Sequence, residues 1–217
     1  ENKTEPEIRV ALTDSDFQFV YHDSVTISLN GEETVYEAEA LRGRNEIISI
    51  PEQEGGILIP SIHRQCGTPS YGGRLEIRPC EEGLLAINIL PLEKYLEAVV
   101  PSEMPSTYEK EALKAQAVCA RTYAWKQMQG SRLHEYGADV DDSVSYQVYQ
   151  NVAPQESTTK AVRETEGMIL SQNGQPVEAY YFSTSAGVTS TDEIWGVSET
   201  ASYLKSVPCE FDAEEPW

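Results

Sequence analysis

Apolar and polar positions fall into two regimes along the chain. Over the first ninety or so residues the apolar ones come in short runs with β-branched or aromatic members. These are Ile8 to Leu12, Phe17 to Tyr21, Ser24 to Leu29, Thr34 to Ala38 and Glu46 to Ile50. Such runs predict strands. Asn30-Gly31 marks a hairpin turn, because both residues tolerate the left-handed backbone that a tight turn needs. Arg74 to Arg78 and Leu84 to Ile89 predict a second strand pair, joined by Glu81-Glu82-Gly83.

From Pro91 the period changes. Leu92, Tyr95, Leu96, Val99 and Val100 follow the i, i+3, i+4, i+7, i+8 stripe of an amphipathic helix. Pro91 suits its first position and Pro101 is expected to stop it. A second helix is expected from Ser106, with Glu109 three residues on completing a capping box. It should run to about Met128, with Gly130 as its stop, or about six turns. Beyond it come an acidic loop (Gly137 to Asp142), a strand at Ser145 to Tyr149 and a short helix at Ser157 to Glu166. Met168 to Ser171 and Val177 to Phe182, around Asn173-Gly174, predict another hairpin.

The expected fold class is α+β, with a β-rich N-terminal part, a central helical pair containing a long buried helix, and C-terminal β-hairpin elements. The expected divisions are a β-rich region over 1–84, which can be a subdomain of one compact unit, a functional region over 85–207, and a frayed acidic tail over 208–217.

Charge narrows the partners. The 217 residues hold 16 Lys and Arg against 36 Asp and Glu, a formal net charge of −20. Such a chain repels polyanions, which argues against nucleic acid as a partner. No apolar run is long enough to span a bilayer. Glu1 is not a natural start, and an exported protein would be expected to carry a signal or anchor ahead of it. Cys66 and Cys80 flank a Gly-rich turn, and a hairpin there would bring them within disulfide reach. Cys119 sits in an apolar helix and reads as a small buried hydrophobe. A Cys119–Cys209 bridge is left open.

The chemistry concentrates between Val100 and Lys126. Ala112, Ala115, Ala117, Ala120 and Ala124 make the second helix a close-packing one, yet it carries Lys114, Gln116 and Arg121 well inside its length. Lys114 and Arg121 are seven positions apart and share a face. That face is expected to meet solvent, an acidic partner or a cleft; a structural ion pair is the alternative. Glu103 stands between Pro101 and Pro105, where restricted backbone preorganises its carboxylate.

The run from Leu92 to Pro105, LEKYLEAVVPSEMP, and the run from Glu111 to Ala124, EALKAQAVCARTYA, resemble the signature of the stage II sporulation protein D family. Amidase-enhancer proteins share the domain. The resemblance continues through Gln147-Val148-Tyr149, Tyr181-Phe182-Ser183, Ser185, Gly187 and Trp195-Gly196, and covers about Leu85 to Val207. It implies a lytic transglycosylase that cleaves peptidoglycan strands stripped of stem peptides, with Glu103 as acid/base. Lys114, Arg121, Tyr181 and Ser185 match positions important in the family, and Gln116 joins them as a candidate substrate contact. The implied setting is extracytoplasmic, during engulfment, beside an amidase and a membrane scaffold protein. A non-catalytic glycan binder that activates an amidase is the rival reading; an acidic scaffold domain without a glycan site is a third.

No cofactor is implied. Some members of the family bind zinc through a His and a later Cys–His–Cys cluster. Here His134 remains, but the matching loop, Val140 to Gln147, has no cysteine and no second histidine. A tetrahedral thiolate site is therefore not expected. Asp139, Asp141 and Asp142 are at most a weak site for a hard cation. Ala186 stands where the family commonly has glycine.

Overall fold

The structure, a computed structural model, describes residues 5–185, 187–189 and 203–210. Residues up to Ala179 form one compact unit and those from Tyr180 a second. Ala186, Trp195-Gly196 and the tail 211–217 lie outside the described residues.

The first unit mixes strands and helices, an α+β fold. Its strands are β1 (Glu7–Leu12), β2 (Tyr21–His22), β3 (Ser24–Leu29), β4 (Glu32–Glu37), β5 (Ile48–Ile50), β6 (Ile57–Leu58), β7 (Ser70–Tyr71), β8 (Arg74–Pro79), β9 (Leu84–Pro91), β10 (Val140–Asp141), β11 (Ser171–Gln172) and β12 (Gln175–Pro176). Its helices are α1 (Ala38–Leu41), α2 (Leu92–Glu103), α3 (Lys110–Gly130) and α4 (Glu156–Glu164), with a 3-10 turn at Arg132–Tyr136. Phe17 to Tyr21 contributes only β2, and Ser145 to Tyr149 forms no strand.

The main sheet runs β10-β1-β9-β8-β5, with β2 also pairing β9; the second runs β4-β3-β6-β7. β9 lies between β1 and β8, antiparallel to both, so the sheet draws strands from either side of residue 84. Seven of its eight residues are buried, the signature of a strand covered on both faces. Leu85, Ile87 and Ile89 pack with Ala11 and Ala138, against Tyr21, Leu133 and Tyr136. Alternation turns Asn88 the other way, where its Oδ1 accepts from the Tyr149 hydroxyl at 2.8 Å.

Local signals placed both hairpin turns, but the second hairpin is shorter than expected: Ser171–Gln172 pairs Gln175–Pro176, and neither Met168 to Leu170 nor Val177 to Phe182 forms a strand. Asn30 and Gly31 have φ of 53° and 84°, and Asn173 and Gly174 of 51° and 77°. Both pairs occupy the left-handed region that a two-residue hairpin demands. The helix termini differ from expectation. Pro101 does not stop α2, which continues to Glu103. Proline's fixed φ fits a helix, and only its missing N–H is lost to the last turn. The stop comes at Met104, which precedes Pro105 and is extended at φ −139° and ψ 133°. The Ser106 capping box also does not form: α3 starts four residues later, with no side-chain cap. Residues 105–108 instead make a turn, and the Ser106 carbonyl accepts from Ser157 Oγ at 2.7 Å, tying this link to α4.

All four cysteines are free thiols, and the Cys66–Cys80 bridge is absent. Cys66 and Cys80 do not bracket one hairpin, because β7 pairs β6 in the second sheet while β8 joins the main sheet. Cys66 Sγ faces the Gln150 carbonyl at 3.3 Å, and Cys80 Sγ the Gly83 carbonyl at 3.0 Å. A fully buried ion pair, Arg64 to Asp142 at 2.5 Å, fastens the β6–β7 connection to the main sheet. Arg64 also donates to the carbonyls of Thr13, Asp14 and His63 and stacks on Phe17.

In the second unit Val188 bridges Pro208 antiparallel, with Thr189 N–H to the Val207 carbonyl at 2.9 Å and Cys209 N–H to the Gly187 carbonyl at 2.8 Å.

Candidate active site

Glu103 ends α2, partly buried, and is held by a loop that the sequence disguised as a strand. The backbone N–H of Val148 donates to Glu103 Oε1 at 2.6 Å. One residue earlier on α2, Ser102 Oγ donates to the Ala98 carbonyl at 2.7 Å and accepts from the Val152 N–H at 3.1 Å. The loop itself is fixed from below. Gln147 takes the Tyr95 hydroxyl on its Oε1 and donates to the Ala120 carbonyl, both at 3.2 Å. The buried Tyr149 ring packs on Tyr95, with centroids 5.0 Å apart, and its hydroxyl reaches Asn88. The carboxylate is thus oriented through contacts that descend to β9.

This corner opens into a cavity of about 330 Å³ lined by Glu103, Met104, Ser106, Thr107, Val152 and Gln155 together with Pro101, Ser102 and Pro105. Glu103 is the sole ionisable side chain among these lining residues. Hydroxyl and amide groups supply the rest of the polarity. Spacing gave no hint of the Val148 donor, because a backbone N–H has no sequence signature.

The two cationic positions take the ion-paired alternative. Lys114 and Arg121 do share one side of α3, but that side packs on α4 instead of opening onto a groove. Arg121, at 1% exposure, grips Glu93 of α2 with both prongs: Nε to Oε1 and Nη2 to Oε2, each 2.7 Å. It also donates to the carbonyls of Val162 and Met168, at 3.1 and 3.2 Å. Through these contacts Arg121 joins α2, α3 and the end of α4. Burial forces this, since a guanidinium removed from water needs its donors matched. Lys114 Nζ stands 3.3 Å from Glu111 and 3.8 Å from Glu164.

Gln116 is buried on α3, away from the cavity lining, and its Nε2 has no hydrogen-bond partner among the described residues. Tyr181 and Ser185 belong to the second unit.

The acidic loop is occupied by the protein's own donors. Asp139 accepts from the Arg9 N–H at 2.9 Å and pairs with His134 at 3.0 Å. Burial pushes the Asp139 carboxyl above its ordinary value despite these bonds. Asp141 accepts from the Ser143 N–H and hydroxyl, and Asp142 serves Arg64 and Thr13. Among the described residues, no group of three His, Cys, Asp or Glu side chains is arranged to hold a metal ion.

A family model described as Stage II sporulation protein matches residues 80–171, the stretch that contains β9, α2, α3, α4 and the Glu103-holding loop. Over that stretch the chain is similar to the stage II sporulation protein family. The stage II sporulation protein D of Bacillus subtilis (strain 168) is 40% identical, over 60% of this chain and 42% of that protein. The amidase enhancer of the same organism is 38% identical, over 48% of this chain and 14% of that protein. An uncharacterized protein of Brachyspira hyodysenteriae is 30% identical, over 88% of this chain and 55% of that protein. The chain therefore spans less than two thirds of the length of each of these relatives.

Proposed function

We propose that this protein is a peptidoglycan lytic transglycosylase of the cell-wall compartment, acting on strands that an amidase has stripped, with Glu103 as its one acid/base. The observation that carries the reading is the Glu103 carboxylate, held by the Val148 N–H, as the one ionisable side chain among the described residues lining an open polar cavity. Hydrolytic glycosidases place two carboxylates about the scissile bond, one of them to activate water or attack the sugar. A transglycosylase needs one, because the nucleophile is the substrate's own hydroxyl.

In the first half of the reaction Glu103 gives its proton to the oxygen leaving N-acetylmuramic acid, and the glycosidic bond breaks. In the second half, the muramic 6-hydroxyl bonds to the anomeric carbon and returns its proton to Glu103. No water is consumed, and the product ends in a 1,6-anhydro sugar. Holding Oε1 on a backbone amide keeps one carboxyl geometry through both halves, which is positional catalysis at no reorganisation cost. Glu103→Gln should abolish anhydro-product formation on amidase-stripped peptidoglycan, read by mass spectrometry. Undiminished product from that variant removes Glu103 from the chemistry.

The likeness to an amidase enhancer supports a second reading, in which the same cavity binds glycan without cutting it and stimulates a partner amidase. Wild-type protein that binds stripped strands and releases no anhydro-muropeptide selects that reading. Either role fits an extracytoplasmic setting in which an amidase acts first and a membrane scaffold holds the two together.

A further inference from the structure

Beyond the Glu103 cavity, a second depression of about 510 Å³ runs along α4, lined by Gln155, Glu156, Thr159, Lys160, Arg163 and Glu164 together with Pro154. These positions recur at helical spacing and form one face of α4. Thr158, Ala161 and Val162, on the other face, are buried, so packing obliges this stripe to face outward. Gln155 lines both depressions. Bonds from Ser157 to the Ser106 carbonyl, and from the Val152 N–H to Ser102, hold the start of α4 beside the Glu103 corner. From Gln155 to Arg163 the helix advances about 12 Å, room for further sugar rings.

The charges on this face are not equally available. Glu164 is taken by Lys110 at 2.7 Å, and Arg163 shares Glu97 at 3.1 Å. Glu156 sits in the first turn of α4, where the helix dipole offsets its charge. Lys160 is exposed and stands in no salt bridge among the described residues, although its charge also acts on Glu164 one turn along the helix. A stripped glycan strand carries a lactyl carboxylate on every muramic residue, and a chain of net charge −20 repels such a polymer unless a cation meets it locally. Arg121 is not available for that task, being engaged within the fold.

We infer that the wet face of α4 is a second glycan subsite, continuous with the Glu103 cavity, in which Lys160 receives a muramic carboxylate while Gln155 and Thr159 meet hydroxyl or acetamido groups. This rests on the glycan reading of the Glu103 cavity and adds the residue that separates muramic strands from uncharged ones. Two probes test it, in a Glu103→Gln background that leaves ligand intact: stripped glycan strands, and chitin oligomers of equal length without the carboxylate. Lys160→Ala should weaken binding of stripped strands by about two- to five-fold, the range of an exposed ion pair. Lys160→Glu should weaken it further, Lys160→Arg should restore it, and added salt should shrink the difference. Affinity for chitin oligomers should not change. Unaltered binding of stripped strands, or equal loss with both probes, overturns the assignment. With Glu103 retained, Lys160→Glu should raise KM for stripped strands and leave kcat in place. Anhydro product with no Lys160 effect sinks the subsite alone. Carboxylate discrimination without any anhydro product sinks the enzyme reading and keeps the subsite.

Discussion

Arg121→Ala should cost this protein stability before it costs any substrate affinity. The substitution deletes two 2.7 Å bonds to Glu93 and the donors to the Val162 and Met168 carbonyls. The Glu93 carboxylate, only 19% exposed, keeps the Gly167 N–H at 3.2 Å but loses its counter-charge. Removing one partner of a buried pair costs about 3–5 kcal/mol, and Glu93's residual contact with water puts this case near the lower end, about 3 kcal/mol. A domain's whole stability is about 5–15 kcal/mol, so the loss is a large share of it. At a urea dependence of about 2 kcal/mol/M, the unfolding midpoint should fall by about 1.5 M. Arg121→Lys should recover only part of this, since an ammonium keeps the charge but cannot make the two-pronged contact. Urea titration followed by circular dichroism, with Glu93→Gln and the double variant completing a cycle, isolates the pair. A midpoint for Arg121→Ala within about 0.3 M of the parent, together with weakened glycan binding, would refute the clamp and return Arg121 to the substrate.

Two further outcomes follow from the charge and thiol environments. Burial alone would raise the Glu76 carboxyl, but bonds from Arg9 at 2.6 Å and Arg78 at 2.8 and 2.9 Å outweigh it and hold the pKa below the ordinary 4.5. The stabilisation is therefore present above that value and lost as the pH falls through the lower, folded one. Glu76→Gln should lower stability at neutral pH and flatten its decline in acid; parallel stability–pH curves for the two proteins would contradict this. Thiol titration of unreduced, denatured protein should find four reactive groups per chain, and a count of two would restore a disulfide. In the folded protein exposed Cys66 should react ahead of Cys119, whose thiol burial pushes up.

Legibility in the sequence tracked the range of the forces involved. The Asn-Gly hairpins, the α2 stripe and the β8–β9 pair were readable because each follows from a few neighbouring residues and the sterics between them. Pro101 misled because a helix tolerates proline near its end, whereas Met104 takes the extended backbone favoured before Pro105. The Ser106 cap and the Cys66–Cys80 bridge failed for one reason: partners distant in sequence, α4 in the first case and a change of sheet in the second, claimed those segments. Ser145 to Tyr149 carries strand-like residues but is used as a clasp, with Gln147 and Tyr149 inside and the Val148 amide turned to Glu103.

By itself the sequence determined the α+β class, the joint that holds Glu103 between two prolines, and the shared side of Lys114 and Arg121, since helical spacing and proline geometry are local. Tertiary structure alone decided what that side would meet. Arg121 finds Glu93 at a separation of 28 residues and the Val162 carbonyl at 41, and no local rule sets such pairings. They arise because three helices packing together exclude water, and a guanidinium caught among them must take whatever acceptors the packing brings.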